Sequence, residues 1–107
     1  MIRHIVMWRV RGENAEQRLA ARTHVKQAFE SLRGRIPGMR SLEVGVDTSG
    51  VDYACDLVLV CEFDSQAALD AYAVHPEHRH LRDQLDGLRI ARHQVDYPVV
   101  AAVTAAR

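Results

Sequence analysis

The segment from Tyr72 to His78 carries the side chains best suited to chemistry at neutral pH. It places a phenol and two imidazoles, those of His75 and His78, around Pro76, where one helical pattern ends and another begins. Histidine is the side chain whose unperturbed pKa lies close to physiological pH, and a neutral tyrosine hydroxyl can donate a hydrogen bond to a carbonyl oxygen. The segment therefore offers an acid–base pair, provided that the rest of the chain builds a pocket around it.

The composition limits the kinds of partner. The 107 residues include 14 basic and 14 acidic side chains with no block of like charge, and 48% of them are apolar. One small domain with a modest core fits this composition. The balanced charge gives no electrostatic footprint of a nucleic-acid or acidic-membrane binder. We therefore expect protein or small-molecule partners, with no nucleic acid and no membrane.

The chain also carries hints about its compartment. No apolar run approaches the roughly 20 residues of a membrane span, and Met1-Ile2-Arg3-His4 lacks the charged-then-apolar layout of a signal peptide. Cys55 and Cys61 lie on one predicted strand, about 20 Å apart at ~3.3 Å per residue, which is too far for an internal disulfide. Buried free thiols favour a reducing compartment, so we predict a cytoplasmic protein.

Four strands are predicted from side-chain alternation and from the turn residues between them. They cover residues 2–10, 40–47, 55–63 and 89–99. The second and third strands form the most economical hairpin. The third is apolar on both faces, which predicts a central strand covered on two sides, whereas Pro98 in the last suits a sheet edge.

Two helical regions are predicted between the strands. Asn14 can cap the first, which should run to about residue 33, and Ser65 or Asp64 can cap the second. The second should break and restart at Pro76, because the fixed φ and missing N–H of proline suit a first helical turn. His78 falls on the apolar stripe of the restarted part, so we expect it to face the sheet. The stripe of the first helix consists of Leu19, Val25, Ala28, Phe29 and Leu32.

The order β-α-β-β-α-β predicts an α+β, ferredoxin-like subunit, in which two helices cover one face of a four-stranded antiparallel sheet. Residues 1–99 would form this domain and residues 100–107 a C-terminal tail. The other face would carry Ile5, Met7, Val58 and Val60, which is more exposed apolar area than soluble monomers usually tolerate. We therefore expect a symmetric homodimer, a dimeric α+β barrel, with a higher oligomer left open.

Five segments of the chain together resemble a known family. They are Met1-Ile2-Arg3-His4-Ile5-Val6, Ile36-Pro37-Gly38, Glu62-Phe63-Asp64-Ser65, His75-Pro76-Glu77-His78 and Val95-Asp96-Tyr97. In this order they resemble the stress-responsive dimeric α/β-barrel (Dabb) family, over almost the whole chain. The resemblance implies a ferredoxin-like subunit whose sheet closes with its partner's into a barrel. It implies no single activity, because members include plant stress proteins and a few plant polyketide cyclases.

The cyclases of that family imply a catalytic set. A tyrosine and a histidine at the positions of Tyr72 and His78 act together there, and a histidine matching His4 lies in the same cavity. His78 would take a proton from a carbon beside a carbonyl while Tyr72 holds the developing oxyanion, each effect contributing on the order of 10²–10³ in rate. Such chemistry supports cyclisation, isomerisation or decarboxylation. The residues expected to bind the substrate are Trp8, Val25, Phe29, Leu57, Leu59, His75 and Leu81.

Two positions depart from those cyclases. Leu57 stands where they carry a second cavity histidine, and Leu81-Arg82 stands where they carry an aromatic–glycine pair. We therefore expect a pocket of different shape and polarity, and we do not predict cyclisation of the same substrate.

Plainer roles explain the same side chains. His78 can be a core histidine bonded to His4 or to a backbone carbonyl, Tyr72 can pack a helix on the sheet, and His75 can cap the new helical turn. The cluster of His75, Glu77, His78 and His80 resembles a metal site only loosely, because side chains this close around a helix start do not point to one centre. We expect no metal and no cofactor.

Two hypotheses therefore remain open. The first is a cofactor-independent enzyme, cyclase-, lyase- or isomerase-like, or a binder, that takes up a carbonyl or phenolic metabolite. The second is a non-catalytic, oligomeric stress-response protein in which the same residues only stabilise the fold.

Overall fold

The computed structural model describes residues 1–100 and contains seven helices and strands. They are β1 (Ile2–Val10), α1 (Ala15–Glu30), β2 (Met39–Val46), β3 (Leu57–Phe63), α2 (Gln66–Ala73), α3 (Pro76–Gln84) and β4 (Arg89–Pro98). The strands form one antiparallel sheet in the order β2-β3-β1-β4. The predicted ferredoxin-like fold is confirmed, with the second helical region split into two helices. Apart from Val100, the predicted tail lies outside the described residues.

The first helix shows where the sequence pattern was right and where it was wrong. The side chain of Asn14 accepts a hydrogen bond from the Gln17 backbone N–H at 2.8 Å, as a capping residue should. The helix ends at Glu30, earlier than predicted, and a turn follows. Leu19 is 59% exposed and does not belong to the apolar stripe. The buried face runs through Ala21, Val25 and Phe29, and a residue two positions before Ala21 lies on the opposite side of the helix.

The third strand begins two residues later than predicted, at Leu57, so Cys55 does not lie on it. The pairing of β1 with β3 ends at Asp56. Its side chain accepts a hydrogen bond from the Val10 N–H at 2.8 Å, and its own N–H donates to the Trp8 carbonyl at 2.7 Å. Both cysteines are free thiols, but only Cys61 is buried, and Cys55 is half-buried. Burial raises the pKa of the Cys61 thiol to about 12, so it stays protonated and unreactive at neutral pH.

The two faces of the sheet have different fates. The helix-facing side chains of β1 and β3 form the core with α1, α2 and α3; its sheet members are Val6, Trp8, Val10, Leu57, Leu59, Cys61 and Phe63. No helix in residues 1–100 covers the opposite face, which carries the four residues expected there, Ile5, Met7, Val58 and Val60. Met7 is 39% exposed and the other three are half-buried. A bare apolar face therefore exists as predicted.

The helices of the described part are too short or too polar to cross a membrane. Pro98 ends β4, which lies at the edge of the sheet beside β1, so the prediction of an edge position is confirmed.

Gly38 leaves room for α2 to pack closely against the turn that precedes β2. Its φ is +79°, and a Cβ added there would lie 2.6 Å from the Cβ of Ala68 on α2. Gly34 has a similar φ of +77° but nothing within 4 Å, so it is the matched control. We expect Gly34→Ala to lower the free energy of unfolding by about 1 kcal/mol and Gly38→Ala by about 2–4 kcal/mol in urea titrations, because only the second adds a clash. Equal losses would contradict the close packing of α2.

Candidate functional site

A cleft of about 630 Å³ opens beside the helix-facing side of β1. Its floor includes His4, Val6 and Trp8, and Tyr72 of α2 and His78 of α3 close it from above. The cleft exists because β4 has no helix on top of it: every residue of that strand is exposed or half-buried. The open side of the cleft is therefore lined by the side chains of an edge strand.

His4 is held by a carboxylate on the neighbouring strand. His4 and Asp96 are directly paired in the antiparallel ladder between β1 and β4, so their side chains share a face. Nδ1 of His4 lies 2.6 Å from Oδ1 of Asp96, and the other carboxylate oxygen accepts a hydrogen bond from Nε2 of Gln94 at 2.9 Å. An ionised carboxylate only accepts hydrogen bonds, so Nδ1 is the donor. The imidazole, 5% exposed, is thus fixed in orientation.

Tyr72 lies between the two histidines. Its ring centroid is 4.4 Å from that of His78 and 6.1 Å from that of His4. The side chain is 3% exposed, and its hydroxyl has no hydrogen-bond partner within residues 1–100. Burial, reinforced by the nearby Cys61, raises the pKa of the phenol above its usual range. Tyr72 therefore stays protonated at neutral pH and keeps an unused donor.

His78 is a neutral imidazole at the start of α3. Its Nδ1 lies 3.3 Å from the carbonyl oxygen of Ala73, and the ring is half-buried, on the side of the sheet that was predicted. Burial lowers the pKa of His78 below its ordinary value; the bond to Ala73 opposes this effect, and Arg82, Arg89 and Arg92 add to it. A lowered pKa leaves a free lone pair on this residue at neutral pH.

Of the seven residues expected to bind the substrate, only Trp8, Phe29 and Leu59 line the cleft. The other four do not: Val25, Leu57 and Leu81 are buried in the core, and His75 caps α3 by accepting a hydrogen bond from the Glu77 N–H at 3.1 Å. The periodicity placed the core residues on the correct face. It did not tell which part of that face lies under a helix and which part borders the gap over β4.

Several residues that line the cleft were not predicted from the sequence. Arg92, Gln94 and Asp96 occupy alternate positions of β4, on the face shared with His4. This alternation of polar residues in an edge strand was a signal that could have located them. Arg89 also lines the cleft, and its guanidinium carbon lies 5.3 Å from the Trp8 ring centroid.

The residues around the start of α3 do not form a metal site. His75 is used as the helix cap, and His80 is exposed. Nowhere in residues 1–100 do three side chains of His, Cys, Asp or Glu come close enough together to hold a metal ion.

Known proteins that resemble this chain in sequence or structure share its fold. The family model of the Stress responsive A/B Barrel Domain, Dabb, matches residues 2–99. No curated protein matches the chain. A dimeric protein of unknown function with a ferredoxin-like fold from Bacteroides fragilis is 30% identical, with a TM-score of 0.80 over 92% of this chain and 95% of that one. A Dabb family protein from Mesorhizobium loti is 25% identical, with a TM-score of 0.70 over 94% of this chain and 97% of that one.

A more distant likeness shows the fold alone. The hydroxynitrile lyase from Passiflora edulis is 14% identical, with a TM-score of 0.76 over 94% of both chains. The family match spans nearly the whole described chain, and the resemblance noted from the sequence is confirmed. The chain belongs to the stress-responsive A/B barrel domain (Dabb) family.

Proposed function

We propose that the cleft binds a small metabolite carrying a carbonyl or phenol group and moves a proton on it without a cofactor. The observation that carries this proposal is the position of Tyr72, whose ring lies 4.4 Å from His78 and 6.1 Å from His4 along one cleft. A cleft of this size with a few polar groups among aromatic side chains is typical of small-molecule sites.

The three side chains divide the work. The neutral His78 accepts a proton from a carbon beside the carbonyl, and the electron pair of that C–H bond moves onto the carbonyl oxygen. Tyr72, kept protonated by its raised pKa, donates a hydrogen bond to the resulting enolate oxygen. Reprotonation at another carbon completes an isomerisation, and attack of the enolate carbon on a second carbonyl completes a cyclisation.

His4 is the third group in this scheme. Asp96 fixes its tautomer and stabilises the ring when it carries a second proton. With a second proton taken up from solvent on Nε2, His4 can protonate the product, and His78 then releases the proton it removed to solvent, so that one proton enters and one leaves in each turnover. Asp96 acts through His4 and is a positioning residue.

We propose in addition that the protein is a homodimer. The uncovered apolar face of the sheet supports this, and so does the ferredoxin-like relative from Bacteroides fragilis, which is described as dimeric. The two free cysteines favour a reducing compartment, so a cytoplasmic location stays a prediction.

A non-catalytic stress-response protein is the second candidate, and specific contacts favour it. His4 bonds to Asp96, His75 caps α3, and His78 bonds to the Ala73 carbonyl, so all three imidazoles have a use in the fold. Tyr72 separates the two candidates, because its hydroxyl stabilises nothing in residues 1–100.

Tyr72→Phe therefore tests catalysis against a purely structural role. Removing an unpartnered buried hydroxyl should leave the free energy of unfolding unchanged or raise it by about 1 kcal/mol.

The same variant should lose proton transfer, measured by NMR as deuterium exchange into the methyl group of para-hydroxyacetophenone. We expect the wild type to accelerate this exchange by on the order of 10², and Tyr72→Phe and His78→Ala to lose most of that acceleration. His80→Ala, on the exposed side of α3, is the control. If the wild type does not accelerate the exchange, the proposed removal of a proton from this class of ketone is contradicted.

The lowered pKa of His78 predicts a pH dependence of stability. The unfolded state takes up the His78 proton near the ordinary pKa of 6.5, whereas the folded state takes it up only at lower pH. Stability is therefore lost as the pH falls through 6.5 toward the folded-state pKa. Urea titrations between about pH 8 and about pH 5 should show a larger loss for the wild type than for His78→Gln. Parallel losses in the two proteins would show that the pKa of His78 is not lowered.

The homodimer has its own test. Val60→Asp introduces a charge into the middle of the bare sheet face and should convert the protein to a single subunit in light-scattering measurements at micromolar concentration. Val51→Asp, at an exposed loop position, should leave the mass unchanged. Circular dichroism shows whether the variant remains folded. A wild type that is already monomeric would contradict the proposal.

A further inference from the structure

We propose that Arg82, Arg89 and Arg92 bind a carboxylate of the ligand at the mouth of the cleft, so that its substrates are small organic acids with an aromatic or apolar body. This inference rests on the proposed function of the cleft and adds the charge class of what enters it. All three arginines line the cleft, Arg82 from α3 and the other two from β4.

A β-bulge brings two of the arginines to the same face. Arg89 and Arg92 are three positions apart, and in a regular strand such residues point to opposite faces. The pairing with β1 shifts its register between Arg9 and Val10, so that Arg92 is opposite Trp8 while Arg89 is opposite Val10. Trp8 and Val10 both face the helices, so both arginines do as well. Bulges of this kind commonly redirect a side chain beside a functional site.

The cleft carries more positive than negative charge, because three arginines line it against two carboxylates. Asp70 and Asp96 are the carboxylates that line it. Asp96 is bonded to His4 and Gln94, and Asp70 accepts a hydrogen bond from Nε2 of Gln66 at 3.0 Å. No Asp or Glu in residues 1–100 forms an ion pair with any of the three arginines. The whole chain has a net charge of +0, so this excess is local.

Folding alone does not account for such a cluster. Arg89 lies over the rings of Trp8 and Phe29, with its guanidinium carbon 5.3 and 5.6 Å from their centroids, and one cation is enough for that contact. Burial, and then the charges of Arg92 and Arg82, lower the pKa of Arg89. The three like charges repel one another, and a bound anion would reduce this repulsion. The fixed fork of the guanidinium group matches a carboxylate, which it can bind through two parallel hydrogen bonds.

The arrangement also orients the ligand and narrows the chemistry. With its carboxylate at the arginines, the body of the ligand lies against Trp8 and Phe29, which are stacked at 4.6 Å, and a carbonyl further along reaches Tyr72. Ion pairing stabilises the carboxylate relative to the uncharged CO₂ that decarboxylation would form. The arginines therefore favour isomerisation or cyclisation with the acid retained.

Paired probes test this inference. Para-hydroxybenzoate and its methyl ester share a ring and a phenol but differ in charge, and isothermal titration calorimetry gives the affinity of each. We expect the acid to bind at least about 10-fold more tightly than the ester. Arg89→Gln and Arg92→Gln should each weaken the acid by about 10- to 100-fold without affecting the ester, because a charge-assisted hydrogen bond is lost. Arg79→Gln, at an exposed position of α3 outside the cleft, should change neither affinity.

The outcomes separate this inference from the function on which it rests. Equal binding of acid and ester, lost in both cases with Trp8→Ala, would keep the pocket and overturn the carboxylate site. Binding of neither probe to the folded wild type would overturn both. Phenyl phosphate binding much more tightly than the acid would also overturn the assignment to a carboxylate. Since two separate arginine variants are measured, misfolding of one leaves the other to decide.

Discussion

The pairing of β1 on both of its edges is the constraint on which the rest of the structure depends. Because β3 and β4 flank it, the alternation along β1 sends His4, Val6 and Trp8 toward the helices and Ile5 and Met7 toward the bare face. A slip of one residue would exchange the two sets, placing an imidazole on the apolar face and breaking its bond to Asp96. One register thus decides both where the candidate site lies and which surface is left for a second subunit.

The cleft is present because no helix of the described residues covers β4. The helices protect the β2, β3 and β1 side of the sheet, and the edge strand β4 remains open on its helix-facing side. Another sequence could fill this gap with apolar side chains. This one lines it with Arg92, Gln94 and Asp96 instead, and it leaves the donors of Tyr72 and Trp8 without partners within residues 1–100. Unused donors beside unpaired cations carry a cost in stability that a ligand with acceptor oxygens would offset.

Local physics explains which features could be predicted from the sequence. The cap at Asn14, the helix restart at Pro76 and the common face of His4 and Trp8 depend on neighbouring residues and were predicted correctly. Periodicity indicates a face but not a lateral position on it, so Val25 was assigned to the pocket although it lies in the core. Arg89 was the site residue hardest to predict, because its orientation depends on a β-bulge and no turn residue in the sequence indicates that bulge.

We propose that the cleft is a ligand site whose unpaired donors bind acceptor oxygens of the ligand. A crystal structure of the protein grown with para-hydroxybenzoate tests it most directly. Our account predicts a ring beside Trp8 and Phe29, a carboxylate within hydrogen-bond distance of Arg89, and a symmetric dimer formed through the bare sheet face. A cleft filled by side chains of a second subunit, with the three arginines paired to that subunit's carboxylates, would contradict it.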